Sequence, residues 1–285
     1  MGFSASSTAT AADSGLTPGA SYTPTGNKTL YAVWRCTLKI YYHVNNGSIA
    51  TGTGTTRYRA GSDGLVERST DSGSTWADYY STMYNYDAVK DLVNVATFGI
   101  TRTGYYITGT TAWRTSGGTI ISQESTSASD TNAATIVRLT GSASLSGDTS
   151  ITLYVNWTSY TLTINFNVNG GSITTGTGTT RYRVSNDLVQ VSENSGSTWS
   201  NLCNYLTNDE AYKNLWNVGT YGATKSGYDI VGNKAYRTGA SSGNYINQDT
   251  ASASDVNAAT MANLTGSSIL TADTTITLYI NWEIS

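Results

Sequence analysis

Two copies of one tripeptide, Arg57-Tyr58-Arg59 and Arg181-Tyr182-Arg183, each follow the loop sequence Gly-Thr-Gly-Thr-Thr. On an extended chain successive side chains point to opposite faces, so each tripeptide presents two guanidiniums on one face and a phenol on the other. Arginine offers a planar fork of donors that fits a carboxylate or a sugar acid, which makes these six residues the candidate ligand-binding set. The same residues would serve the fold equally well, with the arginines on neighbouring acids and Tyr58 and Tyr182 packed inward.

Other constellations carry less chemistry. His43 is the only histidine and its counterpart is Asn167, so neither a Ser-His-Asp triad nor a histidine metal site can occur in both copies. Hydrolysis by paired carboxyls needs two acids in one cleft. The recurring acids are Asp130 with Asp255, read as caps of a turn or short helix, and Asp148 with Asp273, read as turn residues before a last strand. A calcium site at Ser-Ala-Ser-Asp would have one carboxylate and hydroxyls, a thin oxygen shell. Alternating threonines in Gly-Thr-Gly-Thr-Thr make too small an array to bind ice. An isopeptide crosslink would need a recurring buried lysine, and only Lys90 and Lys213 correspond, on the exposed side of a predicted helix. No catalytic residue, metal ligand or cofactor is assigned. A sugar-stacking platform is conceivable in the tyrosine-rich stretch 79–86, whose counterpart at 202–209 is not tyrosine-rich.

Composition narrows the partners. With 12% charged residues and a net charge of −3, the chain lacks the basic clusters that nucleic acid or an anionic membrane requires. No stretch approaches the roughly 20 apolar residues of a membrane-spanning helix. Cys36 and Cys203 do not correspond between copies, so no disulfide framework is expected. The 29 glycines, 21 tyrosines and 7 tryptophans suit a β-rich extracellular protein. The first fifteen residues do not read as a signal peptide, and the expectation is a fragment of a longer secreted chain with signal and anchor outside it.

A long internal repeat positions these residues. KTLYAVW at 28–34, ITLYVNW at 151–157 and ITLYINW at 276–282 are three copies of an ending, whereas GTGTTRYR occurs twice. Trp34 to Trp157 is a step of 123 residues and Trp157 to Trp282 one of 125, which is too long for a solenoid turn. The expected organisation is the C-terminal part of a truncated repeat at 1–34 and full repeats at 35–157 and 158–285.

Within each repeat, Leu38, Ile40, Tyr42 and Val44, matched by Leu162, Ile164, Phe166 and Val168, alternate as on a half-buried strand. Asn45-Asn46-Gly47 and Asn169-Gly170-Gly171 suit positive φ, which predicts a hairpin returning through the Arg-Tyr-Arg strand. Trp76, Tyr79, Tyr80 and Met83, like Trp199, Leu202, Cys203 and Leu206, fall at helical spacing after a Ser-Thr cap. A second helix is predicted from Asn85 and Asn208, ended by Gly99 and Gly222, and a helical turn capped by Ser129 or Asp130. Ile151, Leu153, Val155 and Trp157 alternate in the closing strand, as do Ile276, Leu278, Ile280 and Trp282. This order predicts an α+β fold, β-rich, of tandem β-grasp-like domains with a mixed sheet and helices on one face.

A strand ending in Asn-Gly-Gly, a Gly-aromatic run with a later Trp, and a terminal TLYAVW resemble the Listeria/Bacteroides repeat, also called the internalin B repeat. The nearest local match is 2–34. The resemblance implies a β-grasp module strung in tandem on secreted or surface-anchored bacterial and archaeal proteins, with no catalytic residues to transfer. These repeats are longer than that family's usual module, with extra material at 60–100 and 116–148. The leading expectation is a non-enzymatic stalk, spacer or adhesin shaft at the cell surface. The alternatives are a module binding a glycan or a ligand on a host or neighbouring cell, and a self-assembling filament subunit in which strand addition at residues 1–34 joins neighbouring copies.

Overall fold

Alternation of apolar and polar residues opens and closes each repeat, and the two strands so made lie side by side. The computed structural model describes residues 2–9, 12–17, 20–108, 111–121, 133–231, 234–246 and 258–285. The chain divides into a first unit of Met1–Arg102 with Ile107–Thr158 and a second of Thr103–Tyr106 with Ser159–Ser285.

The first unit starts with an antiparallel pair, β1 (Gly2–Ser4) and β2 (Tyr31–Val33), in register Gly2 to Val33. In β3 (Thr37–His43), Leu38, Ile40 and Tyr42 are fully buried. Asn45 and Asn46 then take φ of 50° and 66°, as their side chains tolerate. There follow β4 (Ser48–Ile49), β5 (Arg57–Ala60), β6 (Val66–Ser69), β7 (Ala77–Asp78), β8 (Tyr80–Tyr84) and β9 (Lys90–Asp91). Helix α1 (Val95–Phe98) leads along the chain to β10 (Ile100–Thr101), β11 (Tyr105–Ile107, of which Tyr105 and Tyr106 are counted with the second unit), β12 (Trp113–Arg114), β13 (Ile120–Ile121) and β14 (Ala133–Ala134). Helix α2 (Ile136–Thr140), β15 (Thr149–Val155) and β16 (Trp157–Ser159) complete the repeat. The main sheet runs β13-β12-β15-β3-β8, and β5, β6 and β7 form a separate antiparallel sheet. β3 pairs in parallel with β15, from Leu38 opposite Thr149 to His43 opposite Tyr154, and antiparallel with β8.

The second unit repeats this order. It comprises β17 (Thr161–Asn167), β18 (Ser172–Ile173), β19 (Arg181–Ser185), β20 (Leu188–Ser192), β21 (Ser200–Asn201), β22 (Cys203–Thr207) and β23 (Lys213–Asn214). Then come α3 (Val218–Tyr221), β24 (Ala223–Thr224), β25 (Tyr228–Ile230), β26 (Tyr236–Arg237), β27 (Ala258–Ala259), α4 (Met261–Thr265), β28 (Thr274–Ile280) and β29 (Trp282–Ile284). β17 again lies between a parallel closing strand, β28, and an antiparallel partner, β22. The pair of Asn167 with Leu188 joins β19, β20 and β21 to the main sheet, and the bridge of His43 with Leu65 is its counterpart in the first unit.

The two cores solve one polar problem differently. In the first, the buried Tyr42 hydroxyl donates to Ser81 Oγ (2.8 Å), and the Trp113 indole donates to the Val93 carbonyl (3.1 Å). In the second, Phe166 and Tyr236 stand at the places of Tyr42 and Trp113, and the Tyr236 hydroxyl donates to the Trp216 carbonyl, the counterpart of Val93. Tyr221, at the place of Phe98, shares a 2.7 Å hydrogen bond with Tyr236. Polar atoms have moved between side chains, and each buried carbonyl keeps a donor.

Several expectations are corrected. The described residues are 41% strand and 8% helix, with four short helices and many small sheets, which conflicts with β-grasp domains of the α+β, helices-on-a-sheet kind. Within 76–83 and 199–206 the chain forms strands, not a helix: β7 and β21 pair with β6 and β20, and β8 and β22 supply the partners that the outer edges of β3 and β17 need. Ser69, Asp71 and Thr75 bond to one another in a turn instead of opening a helix. Of the second predicted helix only the last turn forms. Asn94 and Asn217 cap it and Gly99 and Gly222, at φ 62° and 63°, end it. Asn85 and Asn208 accept instead from the amides of Cys36 and Leu270. Lys90 and Lys213 therefore lie on short strands. The hairpin is also corrected, since β4 pairs with β10 and β5 with β6, leaving β3 to β8 and β15. Helix α2 is capped by Thr135. Ser129, Asp130 and Asp255, with the proposed calcium segment, lie outside the described residues. No helix among the described residues is long and apolar enough to cross a membrane.

Candidate functional site

The Arg-Tyr-Arg strand is the outer strand of a three-stranded antiparallel ladder in each repeat, and the tryptophan assigned by spacing to a helix lies across it. In the first unit Arg59 lies 4.4 Å from the Trp76 ring centroid and pairs through Nε with Glu67 (2.5 Å). Arg57 is tied to its own loop, with Nε donating to the Gly54 carbonyl (2.8 Å) and Nη2 to the Thr53 carbonyl (3.1 Å). Trp76 donates to the Gly73 carbonyl at 2.9 Å, which fixes the indole against the turn. Tyr58 points the other way and packs edge-on against Phe98, with centroids 5.1 Å apart.

The second unit repeats this almost atom for atom. Arg181 donates to the Gly178 and Thr177 carbonyls, Arg183 stacks on Trp199 at 4.4 Å, and Trp199 donates to the Gly196 carbonyl. Tyr182 meets Tyr221, with centroids 6.3 Å apart, and desolvation raises its pKa. One difference is chemical. Arg183 donates to the neutral Gln190 (2.8 Å) where Arg59 meets the carboxylate of Glu67, so the second clasp carries an uncompensated positive charge at this pair. The turn beside each clasp also differs. Asp71 accepts from the Thr75 amide and hydroxyl and from Ser69, which lowers its pKa to about 2, and Asn194 replaces it with Ser192 and Thr198 as partners.

A second recurring cluster joins the two ends of each repeat. Asn45 Nδ2 donates to the Val155 carbonyl and Asn169 Nδ2 to that of Ile280, each at 2.9 Å. In return the closing tryptophan donates to the turn, Trp157 to the Asn45 carbonyl (2.8 Å) and Trp282 to that of Val168 (3.0 Å). A Cβ on Gly47 would lie 2.7 Å from the Trp157 ring, and one on Gly171 would lie 2.8 Å from that of Trp282. That contact is the reason for the final glycine of Asn-Asn-Gly and Asn-Gly-Gly. At the other end of the strands Asp148 and Asp273 accept from the amides of Thr37 and Thr161, so these acids fasten strand starts. His43 bonds to the Asp63 carbonyl (3.0 Å) and accepts from the Asn45 amide.

The tyrosine-rich stretch, assigned by spacing to a helix, becomes an aromatic strip on β3, β8 and the turn after β8, with Tyr80 and Tyr86 exposed and Tyr41 and Tyr84 half-buried. Tyr41 and Tyr80 lie 5.4 Å apart, Tyr84 and Tyr86 stack at 5.4 Å, and Lys39 and Arg35 sit over Tyr80 and Tyr84. At the corresponding places the second unit has Asn165, Cys203, Thr207 and Asp209. Its Cys203 and the first unit's Cys36 are free thiols, and burial raises the pKa of Cys203. The first unit also has a groove of about 1080 Å³ lined by hydroxyl side chains, with Tyr154 and Asp148 among them. No group of His, Cys, Asp and Glu among the described residues could hold a metal ion.

No protein-family model matches the chain, and neither a curated protein nor a solved structure matches it.

Proposed function

We propose that the chain is a non-enzymatic, load-bearing repeat segment of an extracellular surface protein. It serves as a spacer or adhesin shaft, the role of the Listeria/Bacteroides repeats that its closing strands resemble. The observation that carries this reading is the parallel pairing of first and last strand in both units, over six residue pairs each. The chain enters β3 at its N-terminal end and leaves β15 at its C-terminal end. Tension therefore slides two neighbouring strands in opposite directions and loads the whole ladder at once, instead of opening one bond at a time.

Single-molecule stretching of the full chain tests the reading. Two force peaks are expected, each releasing about 40 nm of chain at ~3.3–3.6 Å per residue. Proline at Ile151 or at Thr152 should lower the first unit's peak and leave the second unchanged, because one of these successive amides must donate to the β3–β15 ladder. Extension without resolved peaks would sink the proposal.

The aromatic strip favours a second reading, carbohydrate binding by the first unit, because flat phenol faces stack on sugar rings while Lys39 and Arg35 attract acidic substituents. A glycan array decides it. Binding that disappears in Tyr80→Ala with Tyr84→Ala supports the reading, and binding unchanged in that variant removes it.

A further inference from the structure

Residues 28–34 repeat the closing strand of the full units, yet their surroundings differ. Tyr31, Ala32 and Trp34 correspond to Tyr154, Val155 and Trp157 and to Tyr279, Ile280 and Trp282. Val155 and Ile280 are fully buried, while Ala32 is exposed and Trp34 is 66% exposed. The β1 strand stands beside β2 as β12 stands beside β15, with Phe3 opposite Ala32 where Trp113 is opposite Val155. The other edge of β15 carries β3, and the other edge of β28 carries β17. Among the described residues no strand lies along the other edge of β2, and the Trp34 indole N–H has no acceptor.

We infer that this edge of β2 is a docking site for an extended segment of the kind found at Thr37–Gly47 and Thr161–Gly171. The occupant adds in parallel, with apolar residues at alternate positions, and ends in Val-Asn-(Asn/Gly)-Gly. Its strand covers Leu30 and Ala32, its turn carbonyls accept from Trp34, and its last glycine lies flat beneath the indole. Two internal precedents define this chemistry, since Trp157 and Trp282 each sit on such a glycine and donate to such a turn. A second folded copy of the chain is disfavoured as occupant, because β3 and β17 are already paired on both edges. The inference is independent of the load-bearing role.

A synthetic peptide of residues 159–173 added to the ¹⁵N-labelled full chain tests it by NMR. The Trp34 indole signal is assigned by its loss in Trp34→Phe, a change at an exposed site that leaves the fold intact. Saturable shifts of that signal and of the Tyr31–Val33 amides are expected, with affinity falling at least about tenfold for a peptide carrying Gly171→Val. The idea is overturned if these signals do not move, or if the Gly171→Val peptide binds equally well. Trp34 signals that depend on protein concentration without peptide would also overturn it, since a second copy would then be the occupant.

Discussion

Gly47 and Gly171 show how one missing side chain organises a repeat, because the space a Cβ would need is filled by the ring of the closing tryptophan. Gly47→Val or Gly171→Val should destabilise its own unit by about 1–3 kcal/mol, the usual cost of overpacking, read as a lower urea midpoint for one of two transitions. A buried hydroxyl gives a companion case. Tyr236→Phe would strip the Trp216 carbonyl of its donor and Tyr221 of its partner, at a cost of about 1–3 kcal/mol to the second unit. Asp71 supplies a pH test. Hydrogen bonds from Thr75 and Ser69 hold its pKa at about 2 instead of the ordinary 3.8, so the unfolded chain binds its proton first as pH falls. The stabilisation is present above pH 3.8 and disappears as pH drops through about 2. Acid titration of the first unit should lose this component in Asp71→Asn, the residue type the second unit already has at Asn194.

Among elements, the four-residue helices are set by their ends. Asn94 and Asn217 cap by accepting from the amides of Ala96 and Gly219, and the following glycines adopt left-handed φ. Asn94→Ala should cost the first unit about 0.5–2 kcal/mol in chemical denaturation, and Asn217→Ala should do the same to the second. The terminating glycines were legible in the sequence because positive φ is a local demand, whereas the capping asparagines were not, since Asn85 and Asn208 fit the cap pattern as well as Asn94 and Asn217. Nor were strands β8 and β22, since Trp76, Tyr79, Tyr80 and Met83 fit a helical stripe equally well. What decides them is the hydrogen-bonding demand of β3 and β17, supplied from about 40 residues away in the chain. The arginine site follows the same division. Two guanidiniums on one face and a phenol on the other could be read from spacing, while Trp76 and Trp199, which stack on Arg59 and Arg183, are placed by tertiary folding.

For the whole molecule, the first-to-last strand ladder gives the prediction with the widest reach, because it connects the repeat to mechanical resistance. The two units should unfold at similar force, having ladders of equal length and the same fastening by Asp148 and Asp273. Asp273→Asn tests the fastening. It keeps an acceptor but removes the charge on a charge-assisted bond, and should lower the second peak without altering the released length.

The sequence by itself determined the repeat and its period, the opening and closing strands, the Asn-Gly turns and the glycines that end the short helices. All of these follow from alternation, positive φ or self-similarity, which are local or purely linear properties. Tertiary structure alone decided that β3 lies between β8 and β15, that the first predicted helix is strand and only the last turn of the second is helical, and that the arginines stack on tryptophans. Those outcomes depend on which edge each buried strand must satisfy and on which carbonyl each buried donor can reach, and a linear pattern contains neither.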